Sequence, residues 1–178
     1  MRGGADILQL RHKSLPRGEL LELARRVHDL TAASGALFIV NDHVDIALLS
    51  NADGVHLGPD DLAIASARRV AGDRLLIGAS ASTPEAARAA IAGGADYLGS
   101  GPAFATPIKS EKQVIGPEGV AAIAAGSTVP VFAIGGIDEL NIEQLTAKGL
   151  RRACVIRAVA GAPDREQAVR RLRAMLMS

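Results

Sequence analysis

The sequence has little cysteine, few aromatic residues, almost no net charge and no long apolar run. One cysteine, Cys154, excludes a disulfide framework, and its apolar neighbours predict a core residue rather than a nucleophile. A formal net charge of +1 excludes a general electrostatic attraction to nucleic acid or to a membrane surface. No segment is apolar and long enough to span a bilayer, and no signal peptide begins the chain. We therefore expect a cytoplasmic protein without nucleic-acid or membrane partners.

The scarcity of aromatic residues accompanies an abundance of small ones. Aromatic residues make up 2% of a chain that is rich in alanine and glycine, a composition that suits close packing of helices on a sheet. A chain of 178 residues can bury one substantial core but is short for two. We therefore expect a single domain over residues 1–178.

Short apolar runs alternate with amphipathic stretches along the whole chain. The runs predict strands at 6–10, 37–40, 54–57, 75–79, 97–99, 131–134 and 153–156. The amphipathic stretches predict helices at 19–32, 63–70, 84–92, 142–148 and 164–176. Thr83 and Pro84 form a typical helix start. Because the strands do not alternate polar with apolar residues, they predict a parallel sheet that is buried on both faces.

The number of predicted strands favours a barrel over an open sheet. Seven strands are more than an open sheet of five or six would use, and the fold class we predict is an α/β barrel of the TIM type, (β/α)8. A closed barrel of that type has eight strands. The sequence therefore indicates a barrel that lacks its first β/α unit, and the unpaired strand edge leaves formation of a homo-oligomer open.

Polar and charged residues collect at the ends of the first predicted strands, where ligands bind in α/β folds. Gln9, Arg11 and Lys13 alternate, so we expect them to share one face of the strand. Arginine and lysine bind phosphate oxygens. Asn41 and Asp42 follow the second strand, although Asp42 would also suit a helix cap.

A second acidic group follows the third strand. Asp60 and Asp61 come directly after it, so that Asp42 and Asp61 occupy neighbouring strand ends and could share a Mg²⁺ ion with substrate phosphates. One of Asp60 and Asp61 could instead cap the next helix. His56 lies inside the strand, and we interpret it as a packed core histidine.

The remaining strand ends carry hydroxyl groups, lysines and glycines. Ser80 ends the fourth strand. The segment 99–116 has little periodicity and is interpreted either as an active-site lid or as an ordinary loop. It contains Thr106 and Lys109. The last two strands end at the pair of glycines 135–136 and at 155–157, which in barrels commonly bind a phosphate through backbone N–H groups.

Together these segments resemble the thiamine-phosphate synthase family from about residue 3 to residue 160. The motifs are QLRHK at 9–13, ND at 41–42, DGVHLG at 53–58 with Asp61, and GAS at 78–80. They continue with ADYLG at 95–99, GPAFATPIK at 101–109 and AIGG at 133–136. Each motif alone is weak, but their joint order and spacing are specific.

The resemblance implies an enzyme, a transferase with small-molecule substrates. Members of that family couple hydroxymethylpyrimidine pyrophosphate to hydroxyethylthiazole phosphate, with release of pyrophosphate. The resemblance implies that Asp42 and Asp61 hold Mg²⁺ and that Gln9 lies near the pyrimidine. It implies that the pyrophosphate binds to Arg11, Lys13, Asn41 and Lys109. Ser80 would contact the pyrophosphate or the pyrimidine. The residues it implies to be catalytic are Arg11, Lys13, Ser80 and Lys109. It places the thiazole phosphate on Thr106, Gly136, Ile156 and Arg157.

Three departures from the family pattern leave alternatives open. Arg157 and Ile108 stand where the family usually has small hydroxyl residues, and the first β/α unit is missing. A non-catalytic or truncated phosphate-binding relative is one alternative. A thiazole tautomerase is another, although its histidine near the end of the fourth strand is absent here.

Overall fold

The computed structural model describes residues 1–106 and 113–178, in which strands and helices alternate as predicted. The seven strands of this part of the chain are β1 (Ile7–Leu10), β2 (Leu37–Asn41), β3 (Gly54–Leu57), β4 (Leu76–Ala81), β5 (Tyr97–Ser100), β6 (Val131–Ile134) and β7 (Ala153–Cys154). The α-helices are α1 (Arg17–Ala32), α2 (Val44–Leu49), α3 (Ile64–Ala71), α4 (Pro84–Ala92), α5 (Gly116–Ala125), α6 (Ile142–Thr146), α7 (Arg157–Ala160) and α8 (Arg165–Met177). A 3₁₀ turn, Gly72–Arg74, follows α3.

The strands form one parallel sheet in which every strand pairs with the next one along the chain. The order is β1-β2-β3-β4-β5-β6-β7, and all six pairings are parallel. A strand order that never reverses is the winding of a (β/α) barrel, whereas doubly wound open sheets contain a reversal. The predicted TIM-like α/β fold with seven strands is therefore confirmed. All carboxyl ends of the strands lie at one edge, which we call the C-terminal rim.

Three of the helices were not predicted. Helix α5 begins at Gly116, where the predicted loop segment 99–116 ends, and Val120 and Ile123 bury one of its faces. Helices α2 and α7 have only six and four residues, too few to establish a helical period. The predicted start of α4 is confirmed, because the Thr83 hydroxyl accepts a hydrogen bond from the backbone N–H of Ala86 at 3.1 Å.

The last helix lies against the segment that precedes the first strand. A Cβ atom on Gly3 would be 2.5 Å from the carbonyl oxygen of Glu166 in α8, so only glycine permits this approach. Arg173 of α8 donates to the carbonyl oxygen of Gly4 at 2.7 Å and pairs with Asp6 at 2.6 Å. The two ends of the described chain are thereby joined.

The apolar core lies between the sheet and the surrounding helices, in two clusters. One includes Phe38, Val40 and Val55 of β2 and β3, and the other includes Leu98 of β5 and Leu145 of α6. The alternating residues of β2, β3 and β4 point the other way and include polar side chains near the C-terminal rim, namely Asn41, His56 and Ser80. None of the described helices has both the length and the apolar character needed to cross a bilayer.

Candidate active site

The pairing of β2 with β3 brings together two of the predicted metal ligands. Asn41 is in register with His56, and the backbone N–H of Asp42 donates to the His56 carbonyl oxygen at 2.8 Å. Asp42 has a φ of +67°, a left-handed conformation that non-glycine residues rarely adopt. The chain therefore turns sharply at Asp42, at the point where the β2 and β3 ends meet.

Asp42, Asp61 and Lys13 form a charged cluster at this point. Lys13 Nζ lies 2.5 Å from Asp42 Oδ2, and the carboxyl groups of Asp42 and Asp61 share a hydrogen bond. The backbone N–H of Gly58 donates to Asp61 Oδ2 at 2.7 Å. We refer to these three side chains as the acidic pair and its lysine.

The two carboxyl groups of the acidic pair have opposite pKa shifts. Burial works against ionisation of Asp42, but hydrogen bonds from Lys13 and Asp61 outweigh it and hold the pKa of Asp42 below its ordinary value. Burial and the adjacent Asp42 carboxylate raise the pKa of Asp61. Such a split is what two close carboxyl groups with one nearby cation produce. A second positive charge at the pair would favour the ionised form of both.

Helix capping does not account for these acidic residues. The residue before α2 in the capping position is His43, and the one before α3 is Ala63, each without a side-chain cap. The alternative roles of Asp42, and of Asp60 or Asp61, as helix caps are therefore wrong.

The first strand is shorter than the pattern of its polar residues suggested. Because β1 ends at Leu10, only Gln9 of the three belongs to the strand, while Arg11 and Lys13 are exposed residues that follow it. Strand alternation therefore does not govern where Arg11 and Lys13 point. Lys13 nevertheless reaches the end of β2 through its contact with Asp42.

A cavity of about 410 Å³ lies at the C-terminal rim between the ends of β3 and β7. This volume is in the range of small-molecule sites. Five residues predicted from the sequence line it: Ser80, Thr106, Gly136, Ile156 and Arg157. Pro59, from the loop that also holds Asp61, lines its β3 side. The cavity therefore begins beside the loop of the acidic pair.

The glycines after β6 are required by close backbone contacts. Gly136 has a φ of +66°, and a Cβ atom there would be 2.5 Å from the carbonyl oxygen of Ala105. Asn141 holds the same turn, because its side-chain N–H donates to the Gly136 carbonyl oxygen at 2.8 Å. The absence of a side chain at 136 thus allows the segment before Thr106 to pack on the end of β6. Both Thr106 and Gly136 stand at the cavity wall as a result.

Sequence analysis missed that two residues, His56 and Asp138, line the cavity. His56 is only 9% exposed, as predicted, yet it lines the cavity, and its ring contacts both Ser80 and Tyr97. Asp138, just after the glycine pair, also lines the cavity. The register of β3 and β4 could have indicated that His56 faces the site. His56 pairs with Gly78, and Ser80 lies two residues further along β4 on the same face of the sheet.

Cys154 was interpreted as a core residue and instead lines the cavity. Burial raises the pKa of its thiol, which lowers the fraction of nucleophilic thiolate. The expectation that it is not a nucleophile therefore agrees with its surroundings. Lys109 and Ile108 lie outside the described residues.

Comparison with known proteins decides the family. A family model described as thiamine monophosphate synthase matches residues 1–159. The chain belongs to the thiamine-phosphate synthase family. The thiamine-phosphate synthase of Moorella thermoacetica is 47% identical over 174 residues, which are 97% of this chain and 83% of that protein.

Two further relatives agree with this assignment. A thiamine-phosphate synthase of Gloeobacter violaceus is 49% identical over 161 residues, 90% of this chain, which spans about half (47%) of that longer protein. A solved thiamine phosphate pyrophosphorylase from Pyrococcus furiosus superposes with a TM-score of 0.93 at 41% identity, covering 99% of this chain and 85% of that one. The resemblance found from the motifs, and the transferase class that it implied, are confirmed.

Proposed function

We propose that the protein couples hydroxymethylpyrimidine pyrophosphate to hydroxyethylthiazole phosphate, forming thiamine phosphate and pyrophosphate. One observation supports this most directly: the acidic pair and its lysine stand beside a cavity whose wall holds the predicted phosphate-binding residues. A divalent cation and a leaving pyrophosphate would bind at the first group, and the acceptor in the second. Family membership supplies the identity of the two substrates.

The residues fit a magnesium ion. Asp42 and Asp61 provide only oxygen atoms, which a hard cation prefers, and Mg²⁺ in phosphate-transfer sites commonly takes one or two carboxylates. Among residues 1–106 and 113–178 no group of three or more His, Cys, Asp and Glu side chains could hold a metal. Pyrophosphate oxygens and water would therefore complete the coordination. When bound, Mg²⁺ would neutralise charge on the leaving pyrophosphate.

Four side chains would bind the pyrophosphate beside that ion. Lys13 pairs with Asp42 and would exchange that contact for a pyrophosphate oxygen. Arg11 is exposed next to it, and Asn41 ends β2 at the same edge. Lys109 was assigned to the same role, and that prediction concerns a residue outside the described part of the chain. Gln9 in β1 would contact the pyrimidine.

The thiazole phosphate would bind at the far side of the cavity. Thr106, Gly136 and the backbone at Ile156 and Arg157 line that wall. Arg157 is exposed and carries a positive charge where family members usually have a small hydroxyl residue. Its guanidinium would strengthen phosphate binding at the mouth of the cavity.

The reaction requires positioning and charge neutralisation rather than a protein nucleophile. The bond from the pyrimidine methylene carbon to the pyrophosphate oxygen breaks, and its electron pair leaves on the oxygen. The thiazole nitrogen then donates its lone pair to the pyrimidine cation and forms the new C–N bond. The side chains of this site bind the leaving group and hold the acceptor close, which are the two contributions such a step needs.

Two broader expectations accompany the proposal. We infer that the protein acts in the cytoplasm on small-molecule substrates. Its assembly into a homo-oligomer stays a prediction.

The test is an incubation of the purified chain with both substrates and Mg²⁺, with the product followed by mass spectrometry. We expect thiamine phosphate only when both substrates are present, and none after EDTA is added. A folded sample that binds both substrates and forms no product would contradict the proposal and favour the non-catalytic alternative. Conversion of a thiazole substrate alone would favour the tautomerase.

A further inference from the structure

Tyr97 is a largely buried polar residue that the proposed mechanism does not use. It begins β5, in register with Gly78 on β4, and its hydroxyl lies 3.2 Å from His56 Nδ1. The other ring nitrogen of His56, Nε2, lies 3.0 Å from Ser80 Oγ. Tyr97, His56 and Ser80 therefore form a hydrogen-bonded chain from the interior of the sheet to the cavity wall.

Two glycines make room for this chain. A Cβ atom at Gly78 would be 2.1 Å from Tyr97 Cζ, so the tyrosine ring occupies the space that any other residue would fill. A Cβ atom at Gly99 would be 3.0 Å from His56 Cε1. The Phe132 ring meets the Tyr97 ring edge-on, with centroids 5.6 Å apart and planes at 77°. The position of the phenol is thus fixed from both sides.

The hydrogen-bond directions follow from the chemistry of the phenol. Burial raises the pKa of Tyr97 far above its ordinary value, so the phenol keeps its hydrogen. In the described part of the chain, the hydrogen-bond partner of that hydroxyl is His56 Nδ1, and a buried O–H needs an acceptor. With the phenol as donor to Nδ1, a neutral His56 ring would carry its hydrogen on Nε2, and Nε2–H would donate to Ser80 Oγ.

We propose that Tyr97 is a positioning residue that acts through His56 to direct the Ser80 hydroxyl hydrogen into the cavity. Because Ser80 Oγ accepts from His56, its own hydrogen is left for a ligand oxygen. On the proposed function, that oxygen belongs to the pyrophosphate of the pyrimidine substrate, and this inference rests on that function. The bond from Ser80 would strengthen as negative charge develops on the leaving group, so it would act on kcat more than on KM.

A double-mutant cycle tests this route. We expect Y97F to lower kcat about tenfold, with little change in KM for the pyrimidine substrate, since one orienting hydrogen bond is lost. In an S80A background we expect Y97F to have no further effect, because Ser80 is the group through which Tyr97 acts. An equal loss in both backgrounds would overturn the proposal.

Phe132 provides the matched control for packing. F132L removes the edge-on ring contact and leaves the Tyr97 hydroxyl in place. We expect any loss of activity caused by F132L to be the same in the wild-type background and in the S80A background. A loss in F132L that vanishes in S80A would mean that ring packing, rather than the hydroxyl, orients Ser80.

A spectroscopic measurement on the wild-type protein is independent of turnover. Nitrogen-15 NMR of the histidine-labelled wild-type protein reports which ring nitrogen carries hydrogen. We expect the His56 signals, assigned by comparison with H56N, to show protonated Nε2 and unprotonated Nδ1. Protonated Nδ1 would overturn the proposal even in an active enzyme, whereas the expected tautomer in an inactive protein would count against the proposed function alone.

Discussion

Lys13 and Asp42, which lie 29 positions apart, meet with 2.5 Å between Nζ and Oδ2 just past the ends of β1 and β2. Asp42 contributes its carboxylate from a left-handed turn, with its side chain 13% exposed, while the lysine side chain is 57% exposed. The more exposed lysine therefore has more room than Asp42 to move toward a ligand. In the proposed function Lys13 would bind the pyrophosphate, and Asp42 would bind the metal ion.

Removal of the Lys13 charge should impair catalysis rather than folding. We expect K13Q to lower kcat/KM by about 100-fold, because the leaving pyrophosphate loses the positive charge of Lys13 beside it. The melting temperature should change little, since the ion pair is exposed on the lysine side. Lys148 pairs with Glu118 at 3.2 Å on the surface, so K148Q is a matched control with unchanged kinetics. Equal kinetics for K13Q and the wild type would show that Lys13 does not bind the pyrophosphate.

Gly136 should tolerate substitution less well than another left-handed glycine. G149A meets no atom within 4 Å, so we expect a loss of about 1 kcal/mol from backbone strain alone. G136A adds a 2.5 Å approach to the Ala105 carbonyl oxygen, and we expect an additional loss of about 2 kcal/mol and weaker binding of thiazole phosphate. Urea denaturation of the two variants measures the difference. Equal losses of stability would show that the segment before Thr106 can shift away from the added methyl group at no cost in free energy.

Ser100 and Ser50 are buried serines that should respond oppositely to truncation. Within the described residues Ser100 Oγ has no hydrogen-bond partner, whereas Ser50 Oγ donates to the Ile46 carbonyl oxygen at 2.7 Å. We expect S100A to be neutral or up to about 1 kcal/mol more stable, and S50A to lose about 1 kcal/mol. A destabilised S100A in thermal unfolding would indicate a partner for its hydroxyl.

The strands could be predicted from the sequence because burial on both faces leaves continuous apolar runs. All seven were expected within two residues of their observed bounds; the largest differences are at β4, which begins one residue and ends two residues later than predicted, and at β7, which ends two residues earlier. Helices with weak or short periods, such as α7, could not be recognised in the same way. The barrel class followed from the number of strands rather than from any single element.

The site was predictable where it depends on strand ends and much less where it depends on contacts. Asp42 and Asp61 could be paired because parallel strands end at the same rim. The interaction of Tyr97 with His56 could not be foreseen, because it requires the space above Gly78 and the register of β3, β4 and β5 together. The sequence did not reveal why glycine stands at 78, where the Tyr97 ring fills the adjacent space, two residues before Ser80.

The central claim is that the acidic pair binds a metal ion for synthase chemistry, and a comparison of D61N with D60N tests it most directly. Asp60 is the exposed neighbour of Asp61, so D60N makes the same chemical change one residue away. Thiamine phosphate formation would be measured across a Mg²⁺ titration for both variants and the wild type. We expect D60N to match the wild type and D61N to lose at least about 100-fold in kcat/KM at moderate Mg²⁺. Wild-type rates and an unchanged Mg²⁺ requirement in D61N would contradict the account.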